Sequence, residues 1–343
     1  MRAPDATALR ELAVWSRDVV IGLARQFNSP GVAVYWLYLL GALTLGALVY
    51  AARRRSGRGL LGYLVPARVW LHRSTRNDLL IFVGNTLLYS FLLYGPLQWI
   101  SRTVGQRTWL ALHMYAGPCA APWSGAWAML LYSLVAFLAA DLAFYLYHRV
   151  MHRVPALWEF HKVHHSAPVL QPLTVLRQHP VDVVLHGALA GLMLAPVHGL
   201  AGWLGGGGLD LWTVRGVNGL LFFALLLGFN LQHSHVWLSF GPLDRWLISP
   251  ATHQLHHSSD PAHHDRNYGN MLALWDRALG TLVLPRAVTR AGAPPQLRFG
   301  LGPEGGAWER EYGSAWRLYL WPFVQLARRL ATGARALARR VRS

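Results

Sequence analysis

The sequence predicts an all-α integral membrane protein: a helical bundle of about four or five spans, with a histidine-rich, metal-binding helical cap on its cytoplasmic side. Three observations predict it. Of 343 residues, 53% are apolar and only 14% charged, too few charges to coat a water-facing surface. Several apolar runs reach the roughly twenty residues that cross a hydrocarbon core as a helix. And 15 of the 17 histidines fall between His148 and His264.

Five segments are expected to span: Gly31 to Ala51, Leu79 to Ile100, Ala126 to Tyr147, Val181 to Leu200 and Leu209 to Leu231. The first is not a cleavable signal peptide, because a leader of about thirty residues carrying Arg10, Arg17 and Arg25 precedes a stretch of full spanning length. Between the first two spans, the loop from Ala52 to Asp78 holds Arg53, Arg54, Arg55, Arg58, Arg68, Arg73 and Arg76, against only Arg102 and Arg107 after the second span. The arginine-rich loop is therefore cytoplasmic. Following the spans from there brings the chain back to the cytoplasm at about His148 and again at about His233.

Val181 to Leu231 reads as a hairpin closed outside the membrane by Gly202 to Gly208. Gly205 to Gly208 read as a turn, since no Lys or Ser/Thr follows as a phosphate loop requires. Arg286 to Glu311, with Pro294, Pro295 and Pro303, reads as a surface loop. Beyond it, Trp316 to Ser343 sets Arg328, Arg335 and Arg339 on one helical face and Phe323, Leu326, Leu330, Leu337 and Val341 near the opposite one, the pattern of a helix on an anionic leaflet. The chain divides accordingly into a membrane unit, residues 1–311, and a basic amphipathic tail, 312–343.

The net charge of +17 comes from 32 basic and 15 acidic residues, and Lys162 is the single lysine. Topology and lipid account for this excess without a nucleic-acid partner. One cysteine, Cys119, excludes an internal disulfide, a four-cysteine zinc site and an iron-sulfur cluster made by this chain alone.

Three histidine boxes stand out: His148-Arg-Val-Met-His152, His161-Lys-Val-His164-His165 and His253-Gln-Leu-His256-His257. Residues three or four apart share a helix face, so each box is expected to chelate. One HxxHH by accident is roughly a 4% event in a chain this rich in histidine, and two with an HxxxH on one membrane face are far rarer. Eight imidazoles exceed the four to six or so donors of one ion, so two ions are expected. Asn230 and His233, three apart at the end of the last span, offer a further donor. His235 would point elsewhere, and His179 is expected to hydrogen-bond. His72, His113, His186 and His198 read as structural, while His263 and His264 line the approach.

Arg149 stands where a zinc protease needs the Glu of HExxH. Glu159 is the single Glu near the boxes, so a carboxylate di-iron site is excluded, and no CxxCH haem attachment occurs. An all-imidazole dinuclear site remains, and imidazole suits iron, copper and zinc alike.

Box order adds what spacing cannot. Asp141-Leu-Ala-Phe-Tyr145-Leu-Tyr-His148-Arg before the boxes, and Asn267-Tyr268-Gly269, Trp275-Asp276-Arg277 and Gly280-Thr281 after them, make Phe137 to Thr281 resemble the fatty acid hydroxylase and sterol desaturase superfamily. The resemblance implies two iron ions that use O2 to attack a C–H bond of a lipid or sterol-like substrate, by hydroxylation, desaturation or ether cleavage. It implies as ligands His148, His152, His161, His164, His165, His233, His253, His256 and His257. Zinc can replace iron at imidazole sites in purified material.

Two positions depart from the family pattern. His235 stands where many relatives have Asn, and Ala278-Leu279 where they have a bulky pair. Behind the ligands, Asp141 sits seven residues before His148 on the same face and is expected to hydrogen-bond a ligating histidine, with Asp182, Asp265 and Asp276 as alternatives; Asn230, His179 and His235 are further supporting candidates. Lacking a flavin fingerprint, a haem domain and iron-sulfur cysteines, such an enzyme needs a separate electron donor, a reductase or ferredoxin-like protein. The competing class is a non-enzymatic membrane metal-binding or metal-transport protein, which would want its ligands at the bilayer midplane rather than at the ends of spans.

Overall fold

The computed structural model describes residues 17, 20–53, 59–289, 295–302 and 308–342. Arg10, Arg54, Arg55, Arg58, Pro294 and Pro303 lie outside the described residues, as do the side chains of Leu337, Arg339 and Val341.

Among the described residues, four helices are long and apolar enough to cross a membrane, and the protein is an integral membrane protein. The first, α1, is Trp36–Arg53. Next, α2 (Arg73–Leu88) continues through a π-helical turn, Tyr89–Leu93, into α3 (Tyr94–Ala116), 44 residues in all. The π turn lies just before Pro96, which has no N–H for the preceding turn. Arg102 and Arg107, expected in a loop, are thus inside α3: no proline lies between Pro96 and Ala116, and the helix ends only at Gly117, whose φ is 73°.

Helix α4 (Gly125–Arg153) has 29 residues. At 1.5 Å per residue it is about 44 Å long, more than a hydrocarbon core of about 30 Å, and the overrun carries His148 and His152. Extended backbone at Val154 stops it, and Pro155, in the first turn where its missing N–H leaves nothing unpaired, starts α5 (Pro155–His165). A 3₁₀ turn, Pro172–Leu176, closed by reciprocal Gln171 and Thr174 hydrogen bonds, then leads to α6 (Pro180–Leu204).

Gly187, Gly191, Ala195 and Gly199 recur every fourth residue on α6 and seat α3 against it. A Cβ on Gly199 would stand 2.5 Å from the Gly105 carbonyl oxygen, and one on Gly187 2.9 Å from Leu97. Close approach of this kind holds helices together where lipid is as apolar as the side chains. Gly199→Val is expected to push α3 from α6 and destabilise the bundle by about 1–3 kcal/mol; a melting temperature equal to the parent's in the same detergent would show that this contact contributes nothing.

At the end away from the histidines, Trp203 Nε1 donates to the Gly117 carbonyl and Trp123 N to the Leu204 carbonyl, both at 2.8 Å. The expected turn follows α6, with φ of 57° at Gly206 and 87° at Gly207.

The fifth expected span, Leu209 to Leu231, is not a continuous helix. It opens with a small antiparallel hairpin, β1 (Thr213–Val214) against β2 (Val217–Asn218). Arg215 and Gly216, both at positive φ, make the two-residue turn that hairpins favour. Asn218 Nδ2 then donates to the Ser133 carbonyl, roughly four turns of α4 before His148. Only Gly219–Gln232 is helical. It comprises α7 (Gly219–Ala224) and a stretch broken at Leu227 and Gly228, the latter with φ 110°. The seat for this break is Gly41 of α1, where a Cβ would stand 2.6 Å from the Leu226 carbonyl oxygen.

The last two elements complete the cap. Ser249, whose hydroxyl accepts from Thr252 N, caps α8 (Pro250–His256). Helix α9 (Ala315–Arg342) packs its first half on α5 and α2. Leu318 joins Ile81, Val163 and Tyr312 in a buried cluster, and Phe323 meets Phe160 edge-on at 5.2 Å.

Candidate metal centre

The end of α4, helix α5, the residue after the broken segment and α8 bring the nine expected histidines together. His148, His152, His161, His165 and His256 form one group and His164, His233, His253 and His257 a second, the ligand atoms in each lying within 4.8 Å of one another. The boxes do not each converge on a centre of their own, as expected, but cross over. Residues four apart on a helix differ by about 40° in direction, whereas the middle histidine of HxxHH points about 60° to the other side of the first. The pairs His148/His152 and His161/His165 therefore share the first group and His253/His257 the second, while His164 and His256 each reach the opposite group.

The nitrogens suit metal ions. In the first group the Nε2 atoms of all five histidines are aimed at one another, and those of His148, His152, His161, His165 and His256 are buried with no hydrogen-bond partner. In the second, His233, His253 and His257 hold their Nε2 atoms 3.1–3.2 Å apart in a triangle, with His164 Nε2 at 3.2 Å from His233. Each ring has at most one proton there, so three mutual hydrogen bonds along the ring directions are impossible. Donors around one ion at about 2.0–2.1 Å stand about 2.9–3.4 Å apart.

Burial, reinforced by neighbouring imidazoles, holds His164, His165, His233, His253 and His257 well below the usual histidine range. His256 is pushed down to about 3, chiefly by burial. Neutral rings with free lone pairs are what metal binding requires.

The far nitrogens set ring orientation. His161 Nδ1 lies 3.1 Å from Asp182 Oδ1, and the same oxygen accepts from the Tyr147 hydroxyl at 2.5 Å. His148 Nδ1 faces the Tyr268 carbonyl at 2.8 Å and His256 Nδ1 the Arg266 carbonyl at 2.7 Å. The 266–270 loop is itself clamped by Asp276, which accepts from Tyr268 N, Gly269 N and the Thr281 hydroxyl. Asn267, at φ 56°, donates to the Thr252 and Val283 carbonyls. Gly269 leaves no room for a side chain: a Cβ would meet Leu272 O at 2.5 Å.

Four expected supports do other work. Asp141 touches no histidine and instead accepts from Met271 N, Leu272 N and Trp275 Nε1; seven residues are about 10 Å along a helix axis, out of hydrogen-bond reach of His148. Asn230 donates to the Ala33 carbonyl, because the chain leaves helical geometry at His233 and the two no longer share a face. His179 caps α6 and donates from Nε2 to the Tyr319 carbonyl, tying down α9. His235 turns away to donate to the Tyr63 carbonyl. Among the histidines read as structural, His198 bonds Tyr132, His186 stacks on Tyr147, His113 stacks on Trp109 and His72 caps α2.

Asp182→Asn is expected to weaken metal binding about 10–100-fold, the usual effect of losing a carboxylate behind a ligating histidine; titration with ferrous iron under nitrogen measures it. Asp141→Asn should leave that affinity alone, and a parallel loss there would contradict the division of roles.

Sequence reading missed Arg177. Fully buried, it donates to Asp78 at 2.8 Å, to Ser74 and Ser166, and through Nε to the Val163 carbonyl beside His164. Asp78 also accepts from Gln171 and Thr174. The signal available was an acid and an arginine at the ends of apolar spans.

Two openings meet the histidines. A cavity of about 30 Å³ is lined by His148, His161, His164, His233 and His253 together with Phe144, Tyr147, Val175 and Phe229. Gln178 lines it too, and also a 170 Å³ cavity with Phe82, Leu88, Leu93 and Val183 of the spanning helices. Opposite, a 400 Å³ cleft bounded by Trp158, His264 and Gly302 reaches His152, His165, His256 and His257.

Fold and site together define a membrane helix bundle built around a buried histidine cluster at one end. Residues 133–281 match the fatty acid hydroxylase family. It is 32% identical to the alkylglycerol monooxygenase of Danio rerio over 167 residues, 47% of this chain and 32% of that protein. To the ornithine lipid hydroxylase of Rhizobium tropici it is 29% identical over 209 residues, 59% of this chain and 57% of that one. A very-long-chain aldehyde decarbonylase of rice is 30% identical over 161 residues, 44% of this chain and 23% of that protein. The chain thus spans from about a third to just over half of the first two relatives. No solved structure matches it significantly.

Proposed function

We propose that this protein is a di-iron monooxygenase of the membrane that hydroxylates, or desaturates, a C–H bond of a lipid or similar hydrophobic substrate. The observation that carries the reading is the division of nine imidazoles, all but His152 buried, into groups of five and four, with five of them lining a small cavity shared with Phe144, Val175 and Phe229. His148, His152, His161, His165 and His256 would hold one ion, and His164, His233, His253 and His257 the other. Iron, when bound, supplies the oxidising power for an unactivated C–H bond. Hydroxylation consumes O2, two electrons and two protons and yields the alcohol and water, so an external reductase or ferredoxin-like donor is required.

The chain's own residues do the rest. Phe144, Tyr147, Val175 and Phe229 would set one reacting carbon beside the histidines, since the cavity there is about 30 Å³, and Gln178, which also lines the 170 Å³ cavity, stands where the rest of the chain would pass from the spanning helices. Arg73 and Arg76 begin α2 at the histidine end, which supports a cytoplasmic cap by the positive-inside rule. On α9, exposed Leu330 with the exposed arginines Arg328 and Arg335 suits an anionic leaflet.

The reading is tested by lipid mass spectrometry of cells with and without the protein, together with metal analysis of iron-replete preparations. A product shifted by one oxygen or two hydrogens, with about two irons per chain, is expected. Iron-free protein, or iron-loaded protein that consumes no O2 with reductant and lipid extract, would falsify the reading. Gln178→Trp should cut product formation at least tenfold with iron content unchanged, since it blocks a passage and removes no donor.

A further inference from the structure

A cavity of about 780 Å³ lies on the cap, apart from the ligand nitrogens. Its walls include Arg53, Tyr63, Arg68, His235, Trp237 and Gln254, and no carboxylate is among the residues lining it. Arg53 is oriented there by donating one guanidinium nitrogen to the Trp237 carbonyl at 2.6 Å, and Arg68 is exposed. Ser234 and Gln254, the chain neighbours of His233 and His253, also line it.

A second observation comes from the segment that supplies Tyr63, Pro66 and Arg68. On its other side it presents Leu60, Leu61, Val65, Trp70 and Leu71 to the surroundings, with Leu61 77% and Leu71 83% exposed. A segment basic towards a cavity and apolar outward belongs at the boundary between headgroups and acyl chains. The planar fork of arginine matches phosphate oxygens.

We propose that this cavity holds the phosphate of an anionic phospholipid, gripped by Arg53 and Arg68, while Leu60, Leu61, Val65, Trp70 and Leu71 sit among the acyl chains of the leaflet. The bound lipid fastens the 60–71 segment to the residues that follow His233 and His253. It is a site apart from the substrate passage, and its occupant is not the molecule oxidised.

The test is native mass spectrometry of the full-length protein taken from nanodiscs of equal phosphatidylglycerol and phosphatidylcholine. Phosphatidylglycerol is expected to be retained preferentially, and Arg53→Gln with Arg68→Gln to reduce that preference about fivefold for each arginine. The control pair Arg245→Gln and Arg286→Gln, at exposed arginines outside the cavity, should retain it. Arg68→Gln alone, at an exposed side chain, serves if the double variant does not fold. Equal retention by parent and cavity variants overturns the proposal. So does stabilisation by inorganic phosphate alone as large as that by phosphatidylglycerol, because the ligand would then be free phosphate. Metal content and turnover do not enter the readout, so this proposal and the oxygenase reading fail separately.

Discussion

Replacing His164 by alanine is expected to lower the metal content from about two ions per chain to about one, whereas His165→Ala leaves it close to two. The two residues are adjacent in sequence, so intuition predicts equal effects. The geometry predicts otherwise: His164 is one of four donors in its group, and His165 one of five in the other. Removing one of four leaves three imidazoles in a buried pocket. Removing one of five leaves a four-donor set, enough for an imidazole-bound ion. Turnover should collapse in both variants, since the proposed reaction uses both ions, but the metal count separates them. Equal losses of metal from the two variants, measured by elemental analysis on folded protein, would sink the assignment of His164 to the second group. His257→Ala should behave like His164→Ala, and His256→Ala like His165→Ala.

The second large effect concerns stability. Arg177→Met leaves the Asp78 carboxylate buried without its cation, and breaking a buried pair from one side costs about 3–5 kcal/mol. The loss is larger than for an isolated pair because Arg177 also reaches the Val163 carbonyl and the Ser166 hydroxyl, which fix the last turn of α5. His164 and His165 sit on that turn. A purified variant should therefore unfold at a lower denaturant concentration and, below that midpoint, bind metal more weakly. Asp78→Asn should be milder, because the amide still accepts one of the bonds. An Arg177→Met protein as stable as the parent would mean that the network is dispensable.

The helical class and the eight box histidines were legible in the sequence because both depend on short-range periodicity: runs of about twenty apolar residues, and side chains three or four apart on one face; His233, in no box, rested on its place at the end of an apolar run and on the family resemblance. The crossover between groups was not, since it depends on how α5 and α8 are rotated against each other, and that is set by contacts distant in sequence. Asp141 shows the limit of a same-face argument. It shares a direction with His148 but stands two turns below it, where the backbone of residues 271–272 and the Trp275 indole claim its oxygens. Asp182 could be named only as an alternative, because nothing local distinguishes it from Asp265 or Asp276. The fifth apolar run misled by composition alone: it is apolar enough to span, but Arg215-Gly216 turns the chain back and Gly228 breaks the helix.

That break bears on biogenesis. Gly219–Gln232 is too short to span a bilayer, and the backbone groups freed at Leu227 and Gly228 find no partners in lipid. The segment can be stable only once α1, with Gly41 against Leu226, and α4, with Ser133 holding Asn218, have closed around it. It therefore enters the membrane as a late passenger of helices already inserted, and His233, carried at its end, completes the second group only after the bundle has assembled.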